Sequence, residues 1–191
     1  MTSFIQLLLE KPPIEIALAL SLFILACLLV WARLTVFTTS NRPSSFGSFL
    51  YDPVVALNLG ISFYCFFASS YHNFIPKFVP LILYLCAGSL FIWAIRTTTS
   101  LRFALSEAPE ELVTQGAFRF TRHPFYTSYI LTWIASSILY SSLILSTTLI
   151  YLVAFYFYSA YREEQRMLEG KNGALYRLYQ QRVGMFLPRT L

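Results

Sequence analysis

Charged residues are scarce in this sequence. Asp, Glu, Lys and Arg make up 12% of the 191 residues, whereas a soluble domain carries about a quarter. Hydrophobic residues make up 57% of the chain, and the mean hydropathy is +0.59. A soluble domain is therefore excluded, and the length and composition predict a membrane protein of one domain.

Cysteine is also scarce, with three residues in the whole chain. Cys27, Cys65 and Cys86 all lie inside apolar runs, and none has the spacing of a CxxC motif. Their odd number and their positions indicate neither a disulfide framework nor a zinc site. We therefore expect no metal, and we interpret the three cysteines as small apolar packing residues.

Long apolar runs dominate what is present. Each is close to the ~20 residues that a helix needs to cross the hydrocarbon core. Glu10 and Lys11 precede the first run, which is too long for a signal peptide and lacks a cleavage site of small residues after it. The runs predict an all-α, polytopic membrane protein with five transmembrane helices, at about 14–37, 53–71, 78–95, 125–140 and 143–161.

The basic residues predict the orientation of these spans. With five spans and a cytoplasmic C-terminus, twelve Lys and Arg residues lie on the cytoplasmic side. Only Lys11 and Lys77 lie on the opposite side, which is the asymmetry of the positive-inside rule. The segments 96–123 and 162–191 are then cytoplasmic. The second has apolar residues among charges and predicts an amphipathic helix, interrupted at Gly170 and Gly173.

Two charged clusters bracket the last predicted hairpin. Arg122–Tyr126 lies where the fourth apolar run begins, and Arg162–Glu164 lies where the fifth ends. Because only Ser141 and Ser142 join these runs, the two clusters should meet at one membrane depth. Each cluster alone is typical of interfacial anchors, but acidic residues at the end of an apolar helix are unfavourable there. Their joint occurrence predicts a binding site with His123 close to Glu164.

These residues carry a family resemblance. The segment Gly116–Tyr126 contains Arg-His-Pro-Phe-Tyr and resembles the Arg-His-Pro-x-Tyr segment of the isoprenylcysteine carboxyl methyltransferase-like family. The chain from Glu163 resembles that family's ending, through the residues Glu163, Glu164, Gly173, Tyr176, Tyr179, Val183 and Pro188. The resemblance covers roughly residues 112–188.

The resemblance implies an S-adenosylmethionine-dependent methyltransferase whose cofactor is held by the segments 96–123 and 162–191. Arg122, Arg162 and Glu163 are the candidate catalytic residues on the acceptor side. Carried over by position, the cofactor site would consist of Leu112, Val113, Phe118, His123, Pro124, Phe125, Tyr126 and Glu164.

The chemistry of this cofactor is consistent with those residue types. Glu164 could accept charge-assisted hydrogen bonds from its ammonium or hydroxyls, and His123 or an arginine could meet its carboxylate. Phe118 and Tyr126 could stack on the adenine or face the sulfonium.

One departure from the family bears on the substrate. Relatives that methylate prenylcysteine carry an arginine about one turn before the acidic pair, where this chain has Ala160. We therefore predict a lipophilic acceptor in the membrane, first a carboxylate of the isoprenylcysteine type and alternatively a phospholipid or other amine. A sterol-reductase-like protein that uses a nicotinamide cofactor and a non-enzymatic membrane component are the remaining alternatives.

The expected surroundings follow from this assignment. We expect the chain to contact membrane lipids and a prenylated or lipid acceptor, and no nucleic acid. It should reside in the plasma (inner) membrane of a bacterium or in the endoplasmic reticulum of a eukaryote.

Overall fold

The computed structural model describes residues 11–35, 45–68, 75–104 and 112–189. A 3₁₀ turn at Gly116–Arg119 precedes the fourth helix, and no strand occurs in these ranges. The predicted all-α class is thus confirmed for the described residues. Their six α-helices are α1 Pro13–Thr35, α2 Ser45–Phe67, α3 Phe78–Ala104, α4 Pro124–Tyr140, α5 Leu143–Glu169 and α6 Gly173–Arg182.

Four of the described helices are long and apolar enough to cross a membrane. Helices suit that environment because hydrocarbon offers no partner to backbone N–H and C=O groups. With 17 residues, α4 has a length of about 26 Å, slightly short of the ~30 Å hydrocarbon core. The chain is a multi-pass membrane protein, and the fifth span and the cytoplasmic side of the C-terminus stay predictions. The four segments are Pro13–Ala32, Leu50–Phe67, Phe78–Thr98 and Leu143–Glu169.

Three helices extend past the predicted spans. α2 begins at Ser45, so that Pro53, the predicted start of the second span, lies inside the helix. α3 continues to Ala104 and α5 to Glu169. The first part of each predicted cytoplasmic segment is therefore helical. Residues 36–37 and 69–71 of the predicted spans lie outside the described residues.

The chain divides into two compact units that alternate along the sequence. The first comprises Met1–Leu85 and Leu131–Val153, and the second comprises Cys86–Ile130 and Ala154–Leu191. Both clusters singled out in the sequence belong to the second unit. The candidate site therefore lies within the second unit.

The first unit buries polar side chains among apolar helices. Asn58 of α2 is fully buried, and its Nδ2 donates a hydrogen bond to Thr148 Oγ1 of α5 at 2.7 Å. The Tyr84 hydroxyl of α3 lies 2.8 Å from Ser136 Oγ of α4. Such bonds connect helices in a medium that supplies no competing water. Among the described residues, no group pairs with Asn58 Oδ1.

Thr148→Val should destabilise the first unit. Valine keeps the shape of threonine but leaves Asn58 Nδ2 without its acceptor, and hydrogen bonds between membrane helices contribute about 0.6–1.7 kcal/mol. We expect a loss of about 1 kcal/mol, measured by reversible unfolding in mixed micelles. Thr147→Val is the matched control, because the Thr147 hydroxyl is exposed and bonds only to Leu143 O of its own helix. Equal stability of Thr148→Val and the native chain would contradict the prediction.

Candidate active site

The Arg-His-Pro segment enters α4 through a tight turn. Gly116 has φ of +57°, and a Cβ there would lie 2.2 Å from Thr97 Oγ1, so glycine is required. The 3₁₀ turn follows, and α4 then starts at Pro124. Proline suits that first position because its missing N–H would have no partner in the helix. The turn and the proline together place Arg122 and His123 at the N-terminal end of α4.

The end of the chain lies alongside this segment. Thr121 and Gly184 form an isolated parallel bridge, in which the Arg122 amide donates to Gly184 O at 3.0 Å. The His123 amide donates to Met185 O at 3.1 Å, and the Thr121 hydroxyl donates to the same carbonyl at 2.7 Å. These bonds attach residues 184–185 to the start of α4.

Glu164 is the centre of the site. Its side chain is 5% exposed, and both of its oxygens accept two hydrogen bonds. Oε1 lies 2.7 Å from Arg122 Nε and 3.1 Å from His123 Nε2. Oε2 lies 3.1 Å from Arg122 Nη2 and 2.7 Å from Gln180 Nε2. Four N–H donors, two of them from a permanently charged guanidinium, favour the ionised carboxylate.

Arg122 connects this carboxylate to the C-terminal end of α6. Its remaining nitrogen, Nη1, donates to Val183 O at 2.5 Å and to Gln180 O at 3.2 Å. The Arg122 side chain is 10% exposed. It therefore does not extend towards lipid headgroups as an arginine that anchors a helix at the membrane–water interface would. The described contacts give Arg122 the role of holding Glu164 and the end of α6 together, while a catalytic role stays a prediction.

Glu163 occupies the accessible edge of the site. Its side chain is 48% exposed, and its Oε1 accepts a hydrogen bond from the Tyr126 hydroxyl at 2.5 Å. Its Oε2 lies 3.6 Å from His123 Nδ1. The imidazole of His123 is thus placed between two carboxylates, with Nε2 towards Glu164. It also stacks on the Tyr126 ring at a centroid distance of 5.6 Å.

Two other predicted cofactor residues contact α6 and its end. Leu112 packs against the cluster of Tyr176, Tyr179 and Val183 on α6 and its end. Phe118 O accepts a hydrogen bond from the Tyr179 hydroxyl at 2.5 Å.

Three further predicted residues lie at or near the N-terminal end of α4. Pro124 is buried at the first position of α4, and Val113 is half-buried. The Phe125 ring packs against Phe91 with its edge towards the face, at a centroid distance of 5.5 Å.

Arg162 is not brought into the charged centre. It is exposed, and its guanidinium carbon lies 5.8 Å from the Tyr158 ring centroid. Ala160, at the position where the family resemblance expects an arginine, is fully buried. A carboxylate ligand therefore finds no arginine at this position.

The phenols of α6 remain neutral donors. Burial raises the pKa of Tyr179 to about 12, with the Arg122 charge opposing the rise and the Glu164 charge adding to it. Burial, followed by the charge of Glu164, also raises the pKa of Tyr176. Tyr179 therefore keeps its proton for the bond to Phe118 O at every physiological pH.

Sequence reasoning missed two parts of the site. Gln180 fills the last acceptor position of Glu164, and the carbonyls of residues 180 and 183 accept from Arg122. A single glutamine near the end of an amphipathic helix belongs to no sequence motif that would predict its role. The positions of backbone carbonyls are not encoded in residue types, so no sequence pattern predicts these contacts.

The sequence that forms this site matches a known protein family. Residues 80–169 match the model of the isoprenylcysteine carboxyl methyltransferase (ICMT) family. The match confirms the family resemblance predicted from the sequence, and it indicates a membrane methyltransferase. Searches of curated proteins and of solved structures find no significant match.

The matched range contains both charged clusters of the site. It includes the Arg-His-Pro segment and Glu163–Glu164, and it ends at Glu169, the last residue of α5. α6 and the following residues lie outside it. Gln180 and the carbonyls that bind Arg122 therefore complete the site from a part of the chain that lies outside the matched range.

Proposed function

We propose that the protein is an S-adenosylmethionine-dependent methyltransferase that acts on a lipophilic acceptor in the membrane. The observation that carries the proposal is the family match, which encloses both halves of the charged site. Members of this family generally use S-adenosylmethionine as the methyl donor. When bound, the cofactor would supply an electrophilic methyl group for an in-line displacement.

The residues present fit such a cofactor. Glu163 presents a half-exposed carboxylate that can accept hydrogen bonds from an ammonium or from ribose hydroxyls. The Tyr126 ring is stacked with His123 and with Tyr156, and its hydroxyl donates to Glu163 Oε1, so Tyr126 orients this carboxylate towards a ligand. Glu164 has all four acceptor positions filled by protein donors. Glu164 therefore positions His123 and Arg122, and Glu163 makes the direct contact.

A lipophilic carboxylate is the first candidate for the acceptor. An ionised carboxylate needs no general base, so the protein has only to place it in line with the methyl group and exclude water. Arg162 is exposed next to the acidic pair and can meet a carboxylate that arrives from the membrane. The family name supports this candidate.

A lipid amine is the second candidate, and the charge at the exposed edge favours it. Glu163 and His123 lie 3.6 Å apart there, and either can take the proton that an amine must lose. The absence of an arginine at Ala160 favours it as well. Methyl transfer into fractionated lipids distinguishes the two, because a methyl ester is released by base and an N-methyl group is not.

The cofactor assignment is tested by calorimetry on the purified protein in detergent. We expect binding of S-adenosylmethionine or its demethylated product at micromolar level, about −8 kcal/mol. His123→Ala and Glu163→Ala should each weaken it by at least ~1.5 kcal/mol, the contribution of a hydrogen bond to a charged group. Gln181→Ala, an exposed neighbour on α6, is the control. Absence of binding by the native protein would overturn the proposal.

A further inference from the structure

The last helix has two different faces. Tyr176, Tyr179 and Val183 form its buried side. On a different side of the helix, Leu175 is 59% exposed and Leu178 is 51% exposed. These leucines lie three residues apart and therefore share one face of the helix. Exposed leucines of this kind, on a helix that already has a packed side, indicate a second contact surface.

The charge around these leucines has one sign. Between residues 170 and 189 the sequence contains four basic residues and no Asp or Glu. Arg177 and Arg182 are exposed on α6, and Lys171 is exposed in the turn that precedes it. A helix with basic residues next to apolar ones is typical of the boundary between lipid headgroups and acyl chains.

An open groove combines both features. It has a volume of about 490 Å³ and lies where α5 turns into α6. Lys171 and Arg177 provide its cations, and Leu168 and Leu178 provide its apolar walls. We call this surface the basic groove. A groove lined by two cations and two leucines suits a phosphate that is attached to an acyl chain.

We propose that the basic groove binds the headgroup of an anionic phospholipid and thereby fastens α6 to the membrane surface. α5 is long enough to cross the membrane, and only residues 170–172 separate it from α6. The groove is thus kept close to the bilayer surface at which α5 ends. A soluble acidic protein would satisfy the cations but not the exposed leucines.

The buried face of the same helix reaches the candidate active site. Gln180 donates to Glu164, Tyr179 donates to Phe118 O, and Arg122 holds the carbonyls at residues 180 and 183. A lipid in the basic groove stabilises the position of α6 and therefore of these bonds. Resting on the proposed function, we expect anionic lipid to tighten cofactor binding as well.

The lipid site is tested first without cofactor. The full chain in a neutral detergent is titrated with short-chain phosphatidylglycerol and, separately, with short-chain phosphatidylcholine. Each basic residue near an anionic surface contributes about fivefold to binding. Native protein should prefer phosphatidylglycerol by at least tenfold, and Lys171→Glu/Arg177→Glu should abolish the preference. Lys171→Arg/Arg177→Lys, which keeps both charges, should retain it.

Several outcomes would overturn the lipid site. One is equal binding of the two lipids, and another is an unchanged preference in the charge-reversed variant. Competition by inorganic phosphate at the concentration of the lipid would show that the leucines contribute nothing. Polyglutamate binding as tight as phosphatidylglycerol would indicate an acidic protein partner instead. Arg177→Ala, which removes a single charge, should still reduce the preference about fivefold if the double variant does not fold.

A second titration separates this proposal from the proposed function. Cofactor affinity is measured in phosphatidylcholine nanodiscs with and without phosphatidylglycerol. We expect tighter binding with the anionic lipid in the native protein and no change in Lys171→Glu/Arg177→Glu. If cofactor never binds but the lipid preference persists, the proposed function fails and the lipid site stands. If cofactor binds without regard to lipid, the coupling is refuted.

Discussion

Glu164→Ala should lower the free energy of unfolding by about 3–5 kcal/mol, the cost of removing one partner from a buried ion pair. The Arg122 guanidinium, 10% exposed, would keep its charge but lose the carboxylate that accepts from Nε and Nη2. His123 Nε2 and Gln180 Nε2 would lose their acceptor as well. The variant should therefore release α6 from the start of α4.

The loss is measured as unfolding in mixed micelles, together with cofactor calorimetry. Glu169→Ala, an exposed acid on the same helix, should change stability by no more than about 0.5 kcal/mol. The double variant Arg122→Leu/Glu164→Leu should be less destabilised than the sum of its single changes, because it leaves no unpaired buried charge. Equal stabilities of Glu164→Ala and Glu169→Ala would show that the Arg122–Glu164 ion pair is not formed in the folded protein.

The sequence was sufficient to predict the encounter of His123 with Glu164. A two-residue connection between two apolar helices forces their outer ends to the same level, and the charged residues at those ends then have few other partners. The observed separation of 3.1 Å between His123 Nε2 and Glu164 Oε1 agrees with this reasoning. The all-α fold class follows from the same apolar runs, because a backbone within lipid must form its hydrogen bonds internally.

The difference in burial between the two glutamates could not be predicted. Adjacent residues on a helix point about 100° apart, which follows from 3.6 residues per turn. Glu164 therefore faces the buried side, where Arg122 and Gln180 meet it, and Glu163 faces the exposed edge. Which of the two is buried depends on the direction from which α6 packs. That direction is set by tertiary contacts and not by the motif.

The helix ends beyond the apolar runs were equally difficult to predict. α3 passes Arg96 and continues to Ala104, although hydropathy falls there. The hydroxyl of Thr97 bonds to Trp93 O and that of Thr98 to Ala94 O, so these polar side chains are satisfied on the helix itself. Hydropathy indicates where a helix leaves the lipid, whereas local hydrogen bonding determines where the helix ends. The end of the apolar span and the end of the helix therefore differ.

Gly184→Ala should displace residues 184–185 from the candidate active site. A Cβ at this position would lie 2.1 Å from Leu187 O, and because the obstacle is backbone it cannot rotate away. Gly184 O also accepts from the Arg122 amide, and Met185 O from the His123 amide. Overpacking of this kind costs about 1–3 kcal/mol. We expect cofactor affinity to fall at least tenfold, about 1.4 kcal/mol, with helix content unchanged.

Gly60→Ala is the matched control for this substitution. A Cβ at Gly60 would meet nothing within 4 Å, and an alanine inside α2 should even favour the helix by up to about 1 kcal/mol. Limited proteolysis should cut the Gly184→Ala protein near its C-terminus and leave Gly60→Ala intact. Native affinity in Gly184→Ala would mean that the bonds from residues 184–185 are dispensable. His123 would then be placed by Glu164 without the help of the backbone at residues 184–185.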